Sequence, residues 1–441
     1  MSSQAARDVL RHKLHAGDPP ADALTEAIAR HAPDAPAAAV MRVVVTLLRE
    51  PRLDERHLVA LGEEDPRIAT AVTKFLEATA AVPPAHSAEA VVAGNRLFED
   101  NAVFGFVGLG CASLLECYCW TIEAEVLGLT HGLVQNIARR IPETAMFVLD
   151  VMSEPTLGEG AAPDARGLAA IRKVRLLHAL IRWLIVMDPA EASRVFEGPL
   201  KGNPFFNLAD TDWPVAKKGT PISQAFLAGT LLTFSLTIID SMRRMWVPLG
   251  AEDAADYLHR WKVIGFKLGV DQDLLRFFDG ENSARELHAA MMADFRGPTA
   301  PGRLMAATLE NYMIENIVDR APLHRLLQMK RMPCVVMWHL AGRDTCRSLG
   351  LDPGLFGKTL GWVGWQGLRV IGSMKRVPVL RRLSYAVFEW LGRVMWGWRH
   401  EDDPALATKD ASAERPAARG VVIDRRLAER WGVPVDTAPP R

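Results

Sequence analysis

Apolar residues recur three and four positions apart through most of the chain, and no convincing run of alternating apolar and polar positions interrupts them. That period belongs to helices with one buried face, so an all-α fold is predicted. Short amphipathic segments in residues 1–95 are separated by DPP, APDAPA, EEDP and VPP. Each cluster stops a helix, because proline lacks a backbone N–H and restricts the residue before it. An N-terminal helical layer is expected at 1–95, a main domain at 96–350, and a separate segment at 351–400. The tail, 401–441, is rich in Ala, Pro, Asp and Arg and has little to bury, so mobility is expected there apart from a short helix at RRLAERW.

Within the main domain, Gly219 to Ile239 reads GTPISQAFLAGTLLTFSLTII and carries no charge. Its length would cross a bilayer. Thr230, Thr233, Ser235 and Thr237 interrupt it and Asp240 closes it, so a helix buried in a large core is the expectation. The adjacent small residues Ala228 and Gly229 predict close approach to the helix of residues 171–185.

With 441 residues the chain can bury a sizeable core, and 49% hydrophobic with 24% charged residues is the balance of a folded protein. Lys plus Arg equals Asp plus Glu at 52 each, which argues against nucleic acid as a partner. The five cysteines form no zinc-type pairs and read as reduced thiols. Charges at Arg7, Asp8, Arg11 and Lys13 with no apolar run before them make neither an export signal nor an anchor, so a cytoplasmic address is expected.

Residues 356–400 differ in kind, with five tryptophans, eight basic residues and the single acid Glu389. Indoles settle at lipid headgroup level and cations meet anionic lipid, so a peripheral membrane contact is one expectation. A lid whose tryptophans pack on the main domain is the other.

Standard sites are missing. No histidine follows a glutamate by three positions, HExxH and GxSxG do not occur, and no Walker-type GxxxxGK[ST] loop is present. Gly105, Gly108 and Gly110 lie in an apolar helical run rather than after a strand. Among single histidines, His178 is the best placed. In IRKVRLLHALIRWLI, helical spacing puts it on a stripe with Ile171, Val174, Ile181 and Ile185, with Arg175 and Arg182 beside it. An axial nitrogen, an apolar wall and two cations for propionates are what a haem asks for. The bland reading is a hydrogen-bonded core histidine.

Three blocks in order, KVRLLHALIRW (173–183), DWPVAKKGTPISQAFLAGTLLTFS (212–235) and DYLHRWKVIGFKLGV (256–270), resemble the oxygenase family of MpaB and the latex-clearing rubber oxygenases. Two outer blocks fit as well, RRIPETAMFVLDVM (139–152) and HLAGRDTCRSLGL (339–351). The resemblance implies an all-helical enclosure for one b-type haem that activates dioxygen against a carbon–carbon double bond of a hydrophobic substrate. It makes His178 the axial iron ligand and places Arg140 and Thr144 along the haem pocket. A family lysine that caps the distal side falls here on Glu143. Pro142 beside it would kink a helix or open a new one with Arg140 at the joint. The family's distal base falls on Glu123 or Glu125, while Glu116 in SLLECY is a third carboxylate in an apolar run. His131 and His339 are the alternative axial ligands, and His259 has Asp256 one turn away to pair with. The rival classes are a non-catalytic haem-binding or redox-sensing protein and a haem-free helical scaffold.

Overall fold

The computed structural model describes residues 3–129 (except 35, 51–52, 54, 64 and 85), 137–152, 165–187, 206–318 (except 210), 329–377, 399–400 and 422–423. The breakers do what their chemistry requires. Helices α1 (Ser3–Lys13), α2 (Pro19–His31) and α3 (Pro36–Arg49) are divided at DPP and APDAPA, and α4 (Glu55–Gly62) and α5 (Pro66–Ala80) at EEDP, while the break between α3 and α4 falls at none of these clusters. Pro19 and Pro66 occupy the first helical turn, where the missing N–H costs nothing. Asp65 caps α5 by accepting from the Arg67 N–H at 2.7 Å.

Helix α6 (Ala88–Gly108) starts on the Ser87 cap and crosses residue 95 without a break, its irregularity falling at Asn101. The boundary expected at 95–96 is therefore interior to a helix. A π-helical turn at Leu109–Ser113 leads into α7 (Leu114–Cys119) and α8 (Thr121–Leu129). Then follow α9 (Ile137–Met152), α10 (Arg166–Ile185), α11 (Gln224–Phe234), α12 (Leu236–Arg244) and α13 (Ala251–Lys267). The last are α14 (Glu281–Phe295), α15 (Ala300–Met313), α16 (Met332–Leu340), α17 (Arg343–Ser348) and α18 (Gly354–Met374). Among the described residues the strands are two residues each, Arg399–His400 paired in parallel with Val422–Ile423.

The uncharged stretch is buried as expected, but as two helices. Ser235, at φ −114° and ψ −79°, breaks it. Thr233 and Ser235 turn their hydroxyls back onto the carbonyls of Thr230 and Leu231, both at 2.8 Å, a known way of bending a helix. The Thr233 carbonyl accepts instead from Ser113 Oγ at 2.5 Å. Among the described residues, Ala88–Cys119 and Gln224–Arg244 are long and apolar enough to cross a membrane, and both are mostly buried in the interior.

Two apolar clusters make the core. One gathers α6, α7, α11 to α16 and the start of α10. The other joins the N-terminal helices to the far half of α10 through Leu176, Ala179, Leu180 and Leu184, with Val126 of α8. Helix α10 thus belongs to both, and the N-terminal layer shares its core with the main domain. The close contact of α6 with α13 needs Gly94, where a Cβ would lie 2.6 Å from the Asp256 carbonyl oxygen. Buried Lys267 donates to the carbonyls of Thr79, Ala80 and Ala81 and so closes the C-terminus of α5.

Candidate functional site

His178 lies mid-way along α10, half-buried, with Ile171 and Ile181 of its stripe buried. Its ring makes no hydrogen bond among the described residues. Burial, reinforced by the charges of Arg182 and Arg140, pushes its pKa down to about 3, so the imidazole is neutral. A neutral, unpartnered imidazole keeps a lone pair free, which suits a metal ligand better than a satisfied core histidine.

Arg140 of α9 is close enough for its charge to act both on His178 and on the buried phenol of Tyr118. Thr144, half-buried one turn on, donates to the Arg140 carbonyl at 3.0 Å. Helix α9 runs through Pro142 from Ile137 to Met152, so the helix start expected at Pro142 is not found. Pro142 falls in the second turn and is buried, while Glu143 is exposed. At the position of the family's distal lysine the side chain therefore faces outward.

The two glutamates left open by spacing part company. Glu125 is 38% exposed and forms an ion pair with Lys218. Glu123 is buried, its Oε2 has no hydrogen-bond partner, and burial raises its pKa to about 7. Its charge acts on the Cys117 thiol, next to Tyr118. Val126, one turn along α8, packs in the cluster of Leu176 and Ala179 of α10. Tyr118, Arg140 and His178 thus border one region between α7, α9 and α10, with Glu123 enclosed on the adjoining α8.

Arg175 and Arg182 have partners other than propionates. Arg175 clasps Asp18 with Nε and Nη2 at 2.7 and 2.6 Å and donates Nη1 to the Lys267 carbonyl at 2.9 Å. Both members of the pair are buried. Gly269, at φ +80°, makes room, since a Cβ there would lie 2.8 Å from Arg175 Nη2. Arg182 pairs with Asp22 at 2.8 Å and donates to the Ile222 carbonyl at 3.2 Å. Both guanidinium groups hold α2 against α10. Gln224 completes the clamp, donating to the Gly17 and Gly269 carbonyls at 2.7 and 2.8 Å and accepting from the Asp271 N–H. Arg175, Arg182, Gln224 and Lys267 of the three inner blocks therefore bind the N-terminal layer. Asp18→Ala would strand a buried guanidinium, and a loss of about 3–5 kcal/mol in urea denaturation is expected.

The GTPISQ helix also packs differently from expectation. Gly229 permits approach to the Trp120 ring and Met291, and the contact with α10 is made by Ile222 at its leading edge. Of the other histidines in the main domain, three are engaged and two lie outside the described residues. His259 accepts from the Ser87 N–H at 3.1 Å rather than pairing with Asp256, and His339 stacks on Trp365 at 4.7 Å. His288 pairs with Glu116 at 2.9 Å, and His131 and His324 are outside the described residues. Among the described residues no three His, Cys, Asp or Glu converge as a metal site. Sequence reasoning missed Asp18, Asp22, Tyr118 and His288 because each gains its place only from a partner far along the chain.

In comparison with protein-family models, residues 98–395 match the ER-bound oxygenase mpaB/B'/Rubber oxygenase catalytic domain. Among solved structures the chain is similar to latex clearing protein LCP in the closed state, with a TM-score of 0.59 and 17% identity. That likeness covers 86% of this chain and 91% of the other, and it establishes a shared all-α fold. The comparison with curated proteins found no match. The family match spans more than half of the sequence and covers the helices that carry Arg140, Glu123 and His178, so the chain belongs to the mpaB and rubber oxygenase family.

Proposed function

We propose that this protein is a haem-dependent oxygenase that uses dioxygen to cleave or oxidise a carbon–carbon double bond of a hydrophobic, isoprenoid-like or lipid-like substrate inside the cell. The observation that carries the reading is His178, a neutral and unpartnered imidazole in an apolar setting with two cations in range. In this reading His178 is the one protein ligand of a b-type haem, which supplies a redox-active iron for dioxygen chemistry. Arg140 puts positive charge beside the pocket. Ile171, Val174 and Ile181 offer the apolar contact that a macrocycle and an olefin require. Glu123 is the proton acceptor, because a carboxyl with a pKa near 7 is half ionised at neutral pH and can take an allylic proton and release it. Arg175 and Arg182 act only by fixing α10 against α2.

The visible spectrum and pyridine haemochrome of the purified protein test the cofactor, and oxygen uptake with a panel of terpenes and unsaturated lipids tests the reaction. A colourless protein that takes up no haemin would end the reading. A haem-loaded protein inert toward the whole panel would make it a non-catalytic haem-binding protein.

We also propose a peripheral contact between α18 and a lipid surface. One side of this helix is fastened to the domain. Trp365 is buried against His339, the Arg369 guanidinium lies 3.7 Å over the Trp246 ring, and Lys375 Nζ donates to Asn101 Oδ1 at 2.6 Å. The other side leaves Leu355, Trp362, Val363, Val370 and Val377 exposed, with Trp362 at 52%. So Trp365, Arg369 and Lys375 of the basic, Trp-rich segment face the protein, and the lipid-facing role falls to the outer stripe with exposed Arg376. Trp390, Trp396 and Trp398 lie outside the described residues. Wild-type protein is expected to float with anionic vesicles, and Trp362→Ser with Val363→Ser to stay in the soluble fraction. Equal flotation of both would remove the contact.

A further inference from the structure

A half-open cavity of about 320 Å³ lies between α7, α12, α14 and the turn that joins α16 to α17. The oxygenase chemistry proposed above does not use it. Glu116 and Tyr118 are two residues apart on α7, so they point to nearly opposite sides. The cavity therefore opens away from the region of Tyr118, Arg140 and His178. It also takes in Leu340 to Thr345, the HLAGRDTC block that the haem reading leaves without a role.

Its floor is a built polar cluster. Buried Glu116 accepts from Thr237 Oγ1 at 2.8 Å and pairs through the same Oε2 with His288 Nε2 at 2.9 Å. Burial opposes a charge on His288, but the Glu116 carboxylate outweighs it and raises the pKa. The floor is thus a hydrogen-bonded cluster whose members already have partners. Asp240, on the wall, is already held in two bonds by Arg285, at 2.8 and 2.5 Å.

The mouth is different. Arg244, Arg296 and Arg343 line it, and no ion pair joins any of them to a carboxylate among the described residues. Arg244 donates only to the carbonyls of Leu340 and His339, the latter at 3.4 Å. The remaining acid on the rim, Asp344, is exposed and pairs with none of them. Three arginines with donors unused among the described residues line the mouth, and Leu236, Met292 and Leu340 supply apolar wall beside them.

We propose that this cavity binds an organic anion with a short apolar body, its carboxylate or phosphate headgroup taken by Arg244, Arg296 and Arg343 and its apolar part by Leu236, Met292 and Leu340. Guanidinium groups bind either headgroup through paired N–H donors, so the shared chemistry is an amphiphilic anion. The cavity volume suits a small ligand of this kind. The site stands on its own residues and does not depend on the haem reading.

Titration calorimetry of the purified full-length protein with octanoate, octyl phosphate and neutral octanamide tests it. At least one anion is expected to bind more tightly than octanamide by on the order of tenfold, less so in high salt. Which anion binds identifies the headgroup. Arg296→Gln with Arg343→Gln, both on exposed residues whose loss leaves the fold intact, should weaken the anion by on the order of tenfold. His178→Ala should leave binding unchanged, which separates this site from the haem pocket. Octanamide binding as tightly as both anions, undiminished affinity in the double variant, or no anion binding by the wild type would overturn the proposal.

Discussion

His178→Ala is expected to purify without b-type haem, with the Soret band lost and haemin affinity reduced by roughly a hundredfold or more. The imidazole has no hydrogen bond to lose, and alanine favours helix, so α10 and the overall helicity should be unchanged. Free imidazole added to the variant should restore haem binding, because the vacated space is that of the ring itself. A spectrum indifferent to this substitution would move the ligand elsewhere and end the assignment of His178. Retained helicity by circular dichroism is what makes the test read the ligand rather than the fold.

Glu123→Gln should affect both turnover and pH response. Removal of a positioned base typically costs about 10²–10⁴-fold in rate, and kcat/KM of the wild type should rise with pH up to a bend near 7 that the variant lacks. The same burial sets a stability signature with a definite sign. Between the ordinary carboxylate value of 4.5 and about 7 the folded state holds a proton that the unfolded state has released. Stability contributed by this group is therefore complete below 4.5 and is lost as pH rises through 7. The full change is about 3 kcal/mol at roughly 1.4 kcal/mol per pH unit. Urea midpoints at pH 5 and pH 8 should differ more for wild type than for Glu123→Gln, and an equal difference would show that Glu123 carries no raised pKa. Glu125→Gln, which removes an exposed ion pair, should change stability by less than about 1 kcal/mol and leave the bend in place.

The contrast between these two glutamates shows where the sequence stops being legible. They are two residues apart on α8, so one of them must face inward, but helical spacing alone does not say which side of α8 is covered. The cluster of Val126 with Leu176 and Ala179 decides it. Arg175 and Arg182 fail in a more instructive way. Their spacing from His178 is legible, but Asp18 lies 157 residues from Arg175 and Asp22 160 from Arg182, and only the docking of α2 on α10 brings each pair together. A cation beside a pocket in sequence became a clamp in space. The His288 and Glu116 pair, 172 residues apart, had no local signal at all.

By itself the sequence determined the all-α class, the helix breaks at DPP, APDAPA and EEDP, and the burial of the uncharged stretch, because each follows from local physics. Proline stops a helix wherever it stands, and apolar period, length and side-chain spacing act over one or two turns. Tertiary structure alone decided that α10 serves two cores, that Ser235 splits the buried helix, that Glu123 and not Glu125 is enclosed, and which charges meet. Burial and pairing are properties of what arrives from elsewhere in the chain, and electrostatic interactions strengthen as water is excluded, so the character of each charged group was settled only when the helices closed around it.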